Sequence, residues 1–307
     1  MKKKNSNKLF LAITIPVLVL SMTAYSLADR YLIEHVESTA NKTSTASSVT
    51  TTISDAIVKA DDWSYTSDTK TINIKKVETG SGSNKITYFV ADVTLKDTSS
   101  LCSAFAKNKF GTNIIQYTSE IADNNDAIVA INGDYYGFRD DGIIIRNGEL
   151  YRDVPTRDGV AFYSDGQMKT YDETAVSSSE LLKSGVTNTF SFGPILVKDG
   201  KAITDFTNVK IDKNIGNGSI QSANPRTGIG MISANHFVFV VVDGRKANYS
   251  KGMTLSEFST LFESLGCTEA YNLDGGGSST MYFRGKVINN PLGKGNERGV
   301  SDILYIK

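Results

Sequence analysis

Five clusters of polar residues stand at the ends of strand-like segments. Asn132, Gly133 and Asp134 follow "AIVAI", and Arg226 and Thr227 follow Pro225. Asp243 and Arg245 follow "FVFVVV", while Asn272, Asp274, Gly275, Gly276, Gly277 and Ser278 follow "CTEAY". Glu297 and Arg298 stand before the closing segment "VSDILYIK". Taken singly, each is an ordinary turn residue. Together they make a chemical set. Successive glycine N–H groups can cradle an anion, arginines offer planar donors to phosphate, and carboxylates supply the acid, base or nucleophile of glycosidic cleavage. These are the parts needed to cut a sugar–phosphate linkage.

Other chemistries are poorly supplied. The chain has two histidines, His35 and His236, and neither has the context of a Ser-His-Asp triad. "GGGSS" lacks the Gly-x-Ser-x-Gly elbow and has no following Gly-Lys-Ser/Thr of a phosphate loop. "DKNIGNG" (212–218) opens like a calcium loop but has no glutamate at its twelfth position. Two cysteines are too few for a zinc site of the usual kind.

The elements that must position these residues are mostly strands. "KTINIKKV" (70–77) and "KITYFVADVTL" (85–95) flank a Gly/Ser turn and read as a hairpin. Asn147-Gly148, Asp165-Gly166 and Asp199-Gly200 mark further hairpin tips, and Asn235-His236 joins two strands within 226–245. "LCSAFAKNKF" (101–110) is expected to be a short helix ending at Gly111. "MTLSEFSTLFESLG" (253–266) is the clearest helix: Thr254 and Glu257 form a capping box, and Leu255, Phe258, Leu261, Phe262 and Leu265 share one face. The pattern predicts an α+β fold, a single domain with a large mixed β-sheet and few helices.

The N-terminus has a different character. Four lysines precede the uncharged segment 9–28, which is long enough to span a bilayer. Residues 1–28 are expected to act as a membrane anchor, or as a signal peptide cleaved after Ser26-Leu27-Ala28. Either would make the protein extracytoplasmic, anchored at the cell membrane or secreted. Residues 29–54, Ser/Thr-rich from Ser38, are expected to be a stalk, and 55–307 the functional domain. Without residues 1–28 the chain has 29 basic against 33 acidic residues. That mild acidity excludes the basic footprint of a nucleic-acid binder. Outside the cell Cys102 and Cys267 are expected to form a disulfide, although buried thiols would need no partner. The many Asp and Asn side chains also suggest a divalent cation such as calcium as a cofactor.

The motifs "NGDYYG", "NPRTGIG", "VVDGR", "MTLSEFSTLFESLGCTEAYNLDGGGSSTM" and "ERGVSDILYIK" occur in that order within residues 125–307. This succession resembles the phosphodiester glycosidase family, which includes a lysosomal uncovering enzyme and bacterial members associated with exopolysaccharide. The family often carries Asn-Gly-Gly-Phe-Phe where this chain has Asn132-Gly133-Asp134-Tyr135-Tyr136. The resemblance implies a hydrolase acting on a sugar-1-phosphodiester or a phosphorylated glycan. Among the carboxylates at the strand ends, Asp274, Asp134 and Glu297 are the catalytic candidates, Asp134 being one the family pattern lacks. The substrate would be bound by Asn132, Gly133, Arg226, Thr227, Asp243, Arg245, Asn272, Gly275–Gly277, Ser278 and Arg298. A non-catalytic phosphoglycan-binding module is the alternative.

Overall fold

A computed structural model describes residues 4–39, 57–209, 211 and 220–307. Its largest element is a nine-stranded sheet. In spatial order its strands are 201–202, 195–198, 269–273, 226–233, 236–242, 86–95, 70–79, 64–67 and 57–60. The predicted hairpin lies within it, with Lys70 opposite Leu95 and Thr79 opposite Ile86. Strand His236–Val242 is buried on both faces, as its run of valines requires. Phe237, Phe239 and Val241 face one core, and Val238, Val240 and Val242 face another.

The second of these cores is closed by the helix Leu255–Ser264. Thr254 and Glu257 cap it reciprocally, and Phe258 and Phe262 are fully buried. Gly228 and Gly230 explain how closely it packs. A β-carbon at Gly228 would lie 2.8 Å from the Phe258 ring, and one at Gly230 would lie 2.8 Å from the Phe262 ring. The absent side chains let both rings rest on the sheet.

The first core lies between the nine-stranded sheet and a five-stranded one, ordered 286–287, 281–283, 129–132, 302–306 and 101–105. Val129, Ile131, Met281, Leu304 and Ile306 supply the second wall. The helix Thr118–Asn124 covers the outer face of the smaller sheet, where Ile121 and Ala122 join Ala130, Ile303 and Tyr305. A three-stranded sheet (168–172, 158–163, 186–190) and the hairpin 142–146/149–154 complete the domain.

The α+β class, the few helices and the predicted hairpins are present. Every described strand pair is antiparallel, so the large sheet is not mixed. Residues 101–110 are not a helix: Leu101–Phe105 pairs with Asp302–Ile306, and Lys109–Thr112 is a second strand. Burial alternates along Leu101–Phe105, and long-range pairing there outweighs the local helical tendency. Part of the expected stalk is also strand. His35–Thr39 pairs with Lys109–Thr112, and a β-carbon at Gly111 would lie 1.9 Å from the His35 carbonyl oxygen. Residues 40–54 of that stalk lie outside the described residues.

The N-terminal segment forms the helix Lys4–Tyr31, with Pro16 inside it. Its described apolar side chains, including Val17, Leu18 and Leu20, are exposed. Among the described residues no helix is long and apolar enough to cross a membrane, so the anchor expectation finds no support there. The expected disulfide is absent, since Cys102 and Cys267 are both free. Cys267 is packed in the core under helix Leu255–Ser264, while Cys102 borders the core behind the five-stranded sheet.

Candidate active site

Antiparallel pairing brings the scattered motifs to one edge. In such a ladder the end of one strand lies beside the beginning of its neighbour. Leu273 therefore faces Thr227, Val242 faces Arg226, and Asn132 faces Ile303. Asn132, fully buried, fastens the two sheets at this edge. Its Oδ1 accepts from Thr227 Oγ1 at 2.8 Å and from the Thr280 amide at 3.3 Å. Its Nδ2 donates to the Asp274 carbonyl at 2.7 Å. The Asp274 amide in turn donates to the Gly133 carbonyl at 3.3 Å.

Asp274 is the carboxylate this framework presents. Its side chain is 14% exposed and accepts from Ser278 Oγ at 2.5 Å and from Arg298 Nη2 at 3.1 Å. Arg298 also donates to Ser278 Oγ. Burial pushes the Asp274 carboxyl above the usual aspartate range, opposed chiefly by Arg298 and then by Ser278 and Arg139. Arg298 is 47% exposed and lies over Gly277, where a β-carbon would come within 3.1 Å of its Cδ. Arg245 is exposed beside Gly276, with Nη2 3.1 Å from the place a β-carbon would occupy. The arginines thus reach toward the glycine turn because it lacks side chains.

The triple glycine is itself a tight turn more than an open cradle. Gly276 has φ +63° and donates its amide to the Pro225 carbonyl at 2.9 Å. A β-carbon at Gly275 would sit 2.8 Å from that same carbonyl oxygen. The backbone of one strand end is pressed onto the next.

Other expected site residues serve the scaffold. Arg226 is buried and donates to the carbonyls of Met253, Ile220 and Ser222. Asp243, also buried, accepts from Tyr249, Asn289 and the Asn290 amide, tying its own loop to the one around Asn289. Asn272 donates to the Gly193 carbonyl at 2.8 Å. Glu297 accepts from the Ser119 amide and hydroxyl in the first turn of helix Thr118–Asn124, while its neighbour Arg298 reaches Asp274. Asp134 does not line the site. Its side chain is 0% exposed and accepts from the amides of Tyr136 and Ser191 and from Arg146 Nη2.

Three contributors escape a sequence reading. Arg139 is buried between the Tyr135 and Phe192 rings, 5.2 and 5.0 Å from their centroids, and its charge favours ionised Asp274. Its position seven residues beyond Asn132, in the same loop, was the available signal. Arg146 closes the strand Gly142–Arg146 and Asp302 opens the strand Asp302–Ile306, and only the fold brings these two strand ends beneath Asp134. Arg146 Nη2 lies 2.6 Å from Asp302 Oδ2, and burial, opposed by Arg146, raises Asp302 to about 7. Among the described residues no group of three or more His, Cys, Asp or Glu side chains gathers as a metal cage.

Fold and site together define an antiparallel α+β protein with one largely buried carboxylate among arginines. Comparison with known proteins agrees. The phosphodiester glycosidase family profile matches residues 125–307. The chain is 34% identical over 244 residues to the SPbeta prophage-derived uncharacterized protein YomE of Bacillus subtilis (strain 168), covering 72% of this chain. That match spans only 36% of the relative's length. This chain belongs to the phosphodiester glycosidase family. Its fold is similar to that of the catalytic domain of zebrafish N-acetylglucosamine-1-phosphodiester alpha-N-acetylglucosaminidase, described as auto-inhibited by its pro-peptide. That likeness has a TM-score of 0.59 at 20% identity and covers 78% of this chain and 83% of that one. A hypothetical protein from Synechocystis is similar with a TM-score of 0.56 at 16% identity, over 78% of this chain and 62% of that one.

Proposed function

We propose that the protein is an extracytoplasmic hydrolase that cleaves the C1–O bond of a sugar-1-phosphodiester in an envelope or exopolysaccharide glycan. The observation that carries this is Asp274, a largely buried but still accessible carboxylate with a raised pKa, set among Arg298, Arg139 and the neighbouring Arg245. Ordinary glycosidases need a second carboxyl group, commonly to protonate the leaving oxygen. A phosphomonoester leaves as a stable anion, so that demand falls away. Asp274 then acts as general base. It takes a proton from water as the water oxygen bonds to C1, and the C1–O electron pair departs with the phosphate. Arg298 and Arg245 offer the phosphate planar donors. Lysines followed by an uncharged segment at residues 9–28 support export.

One observation favours a phosphoglycan-binding module instead. Asp274 is already engaged by both Ser278 and Arg298. Incubation with a synthetic sugar-1-phosphodiester separates the readings. Release of free reducing sugar by the wild-type chain, but not by Asp274→Asn, is expected. Binding without release would establish the module. Parallel assays with calcium and with a chelator test whether a divalent cation takes part.

A further inference from the structure

Beneath the site lies a second set of ionisable groups that the reaction does not touch. Arg146 and Asp302 have side chains 1% and 0% exposed, and Asp134 is equally buried. Arg146 donates to Asp302 Oδ2 from Nε at 3.0 Å and from Nη2 at 2.6 Å. The same Nη2 lies 3.2 Å from Asp134 Oδ2. Phe190 stacks on the guanidinium, 4.1 Å from its ring centroid. Arg152 and the tyrosines Tyr136, Tyr151, Tyr171 and Tyr271 are the other titratable groups that act on the cluster. Arg152 stands beyond the Tyr136 ring and is paired with Glu37 at 3.8 Å, so its charge is already balanced. Two carboxyl groups therefore face one cation in a buried space, an arrangement that disfavours ionisation of both.

The cluster is wired to the site. The Gly133 amide donates to the Asp302 carbonyl at 2.9 Å, and the Gly133 carbonyl accepts from the Asp274 amide. A β-carbon at Gly133 would lie 2.2 Å from Asp302 Oδ1, so only glycine admits that carboxyl group. On the other side, Asp134 accepts from the Ser191 amide at 2.9 Å, and the Ser191 carbonyl accepts from Arg139 Nη1 at 3.2 Å. One branch ends at Asp274 and the other at Arg139.

We propose that Arg146 and Asp302 are positioning residues, which hold the Asn132–Arg139 segment in register with Asp274 only while Asp302 keeps its proton. The proposal rests on the reading of Asp274 as the catalytic group. The proton resides on Asp302. Both Asp134 oxygens accept well-formed backbone N–H bonds, whereas Asp302 has only the Asp134 amide near its carboxyl group and its Oδ1 has no partner in full hydrogen-bond geometry among the described residues. Losing the proton places two negative charges on one guanidinium and drives the carboxylates apart. Gly133 and Ser191 then move with them.

The proton can be read without substrate. A carboxyl group whose pKa is raised by folding stabilises the protein at low pH and loses that contribution as pH rises through the folded value. The melting temperature of the wild-type chain should therefore fall between the ordinary carboxylate range and about 7, where Asp302 titrates. Asp302→Asn, which imitates the protonated form, should remove that fall. Asp134→Asn should shrink it, because Asp302 then becomes the sole counter-ion of Arg146 while its burial persists. Parallel melting curves in wild type and Asp302→Asn would overturn the proton on Asp302. Positioning is read from kcat, which in wild type should drop on the alkaline side by up to about tenfold per pH unit, the limit for one ionising group. In Asp302→Asn the drop should vanish while KM stays level. An unchanged alkaline limb would leave the cluster merely structural and overturn the proposal. If the wild type releases no sugar, the functional reading fails, and positioning is judged by hydrogen exchange. Peptides covering 132–139 and 274–278, corrected for intrinsic pH dependence, should then exchange faster at alkaline pH in wild type only. Equal rates would overturn it.

Discussion

Two aspartate–arginine pairs, close together in the fold, have opposite fates. Asp274 and Arg298 are 14% and 47% exposed, whereas Asp302 and Arg146 are 0% and 1% exposed. Their chemistry is the same. In the open pair water and an incoming phosphate can compete for the guanidinium, so the contact is worth little to stability and is exchangeable during turnover. In the closed pair nothing can replace either partner, and breaking it strands a charge. Exposure, not residue type, separates a reacting group from a supporting one.

The comparison breaks first, and hardest, at Asp274. Asp274→Asn keeps the shape and removes the base, so turnover should fall by about 10²–10⁴. Urea denaturation should show the fold intact. Near-normal kcat/KM would show that the open pair is not the reacting one.

Arg146→Ala should do the reverse. Removing one partner of a buried pair costs roughly 3–5 kcal/mol, which urea denaturation would register as a large drop in midpoint. A change within error would mean that the closed pair supports nothing.

A smaller effect sharpens the contrast through pH. Asp274 must be ionised to act as base, and burial raises its pKa despite Arg298. The acid limb of kcat/KM should therefore lie above the ordinary carboxylate range, with activity rising as pH rises. Arg298→Ala removes the largest opposing influence and should move that limb to still higher pH, while raising KM for phosphate-bearing substrates. A limb that stays in place would detach Arg298 from Asp274.

The smallest change touches neither pair. Thr254→Ala removes an N-cap and should cost about 1 kcal/mol, with kcat/KM unaltered. Any change in the pH profile of this variant would show that the two pairs are coupled to the whole fold and not to each other.

Local patterns in the chain determined a good deal of this. The capping box of Thr254 and Glu257, the tips at Asn147-Gly148 and Asp199-Gly200, and the hairpin joining 70–79 to 86–95 all depend on residues adjacent in sequence. The polar strand ends were legible as well, and with them Asp274, Arg298 and Arg245. Tertiary structure decided the remainder. Leu101–Phe105 became a strand because Asp302–Ile306 lies beside it, nearly two hundred residues away. Asp134, read in sequence as a carboxylate added to the site, turned inward because Arg146 and the Ser191 amide meet it there. Arg226 was spent on backbone carbonyls, and Arg139, an unremarked arginine in sequence, came to rest beside Asp274. Turn and cap energetics act over a few residues, so the sequence displays them. Burial of a charge depends on which distant strands close over it, and that is settled only when the sheets meet.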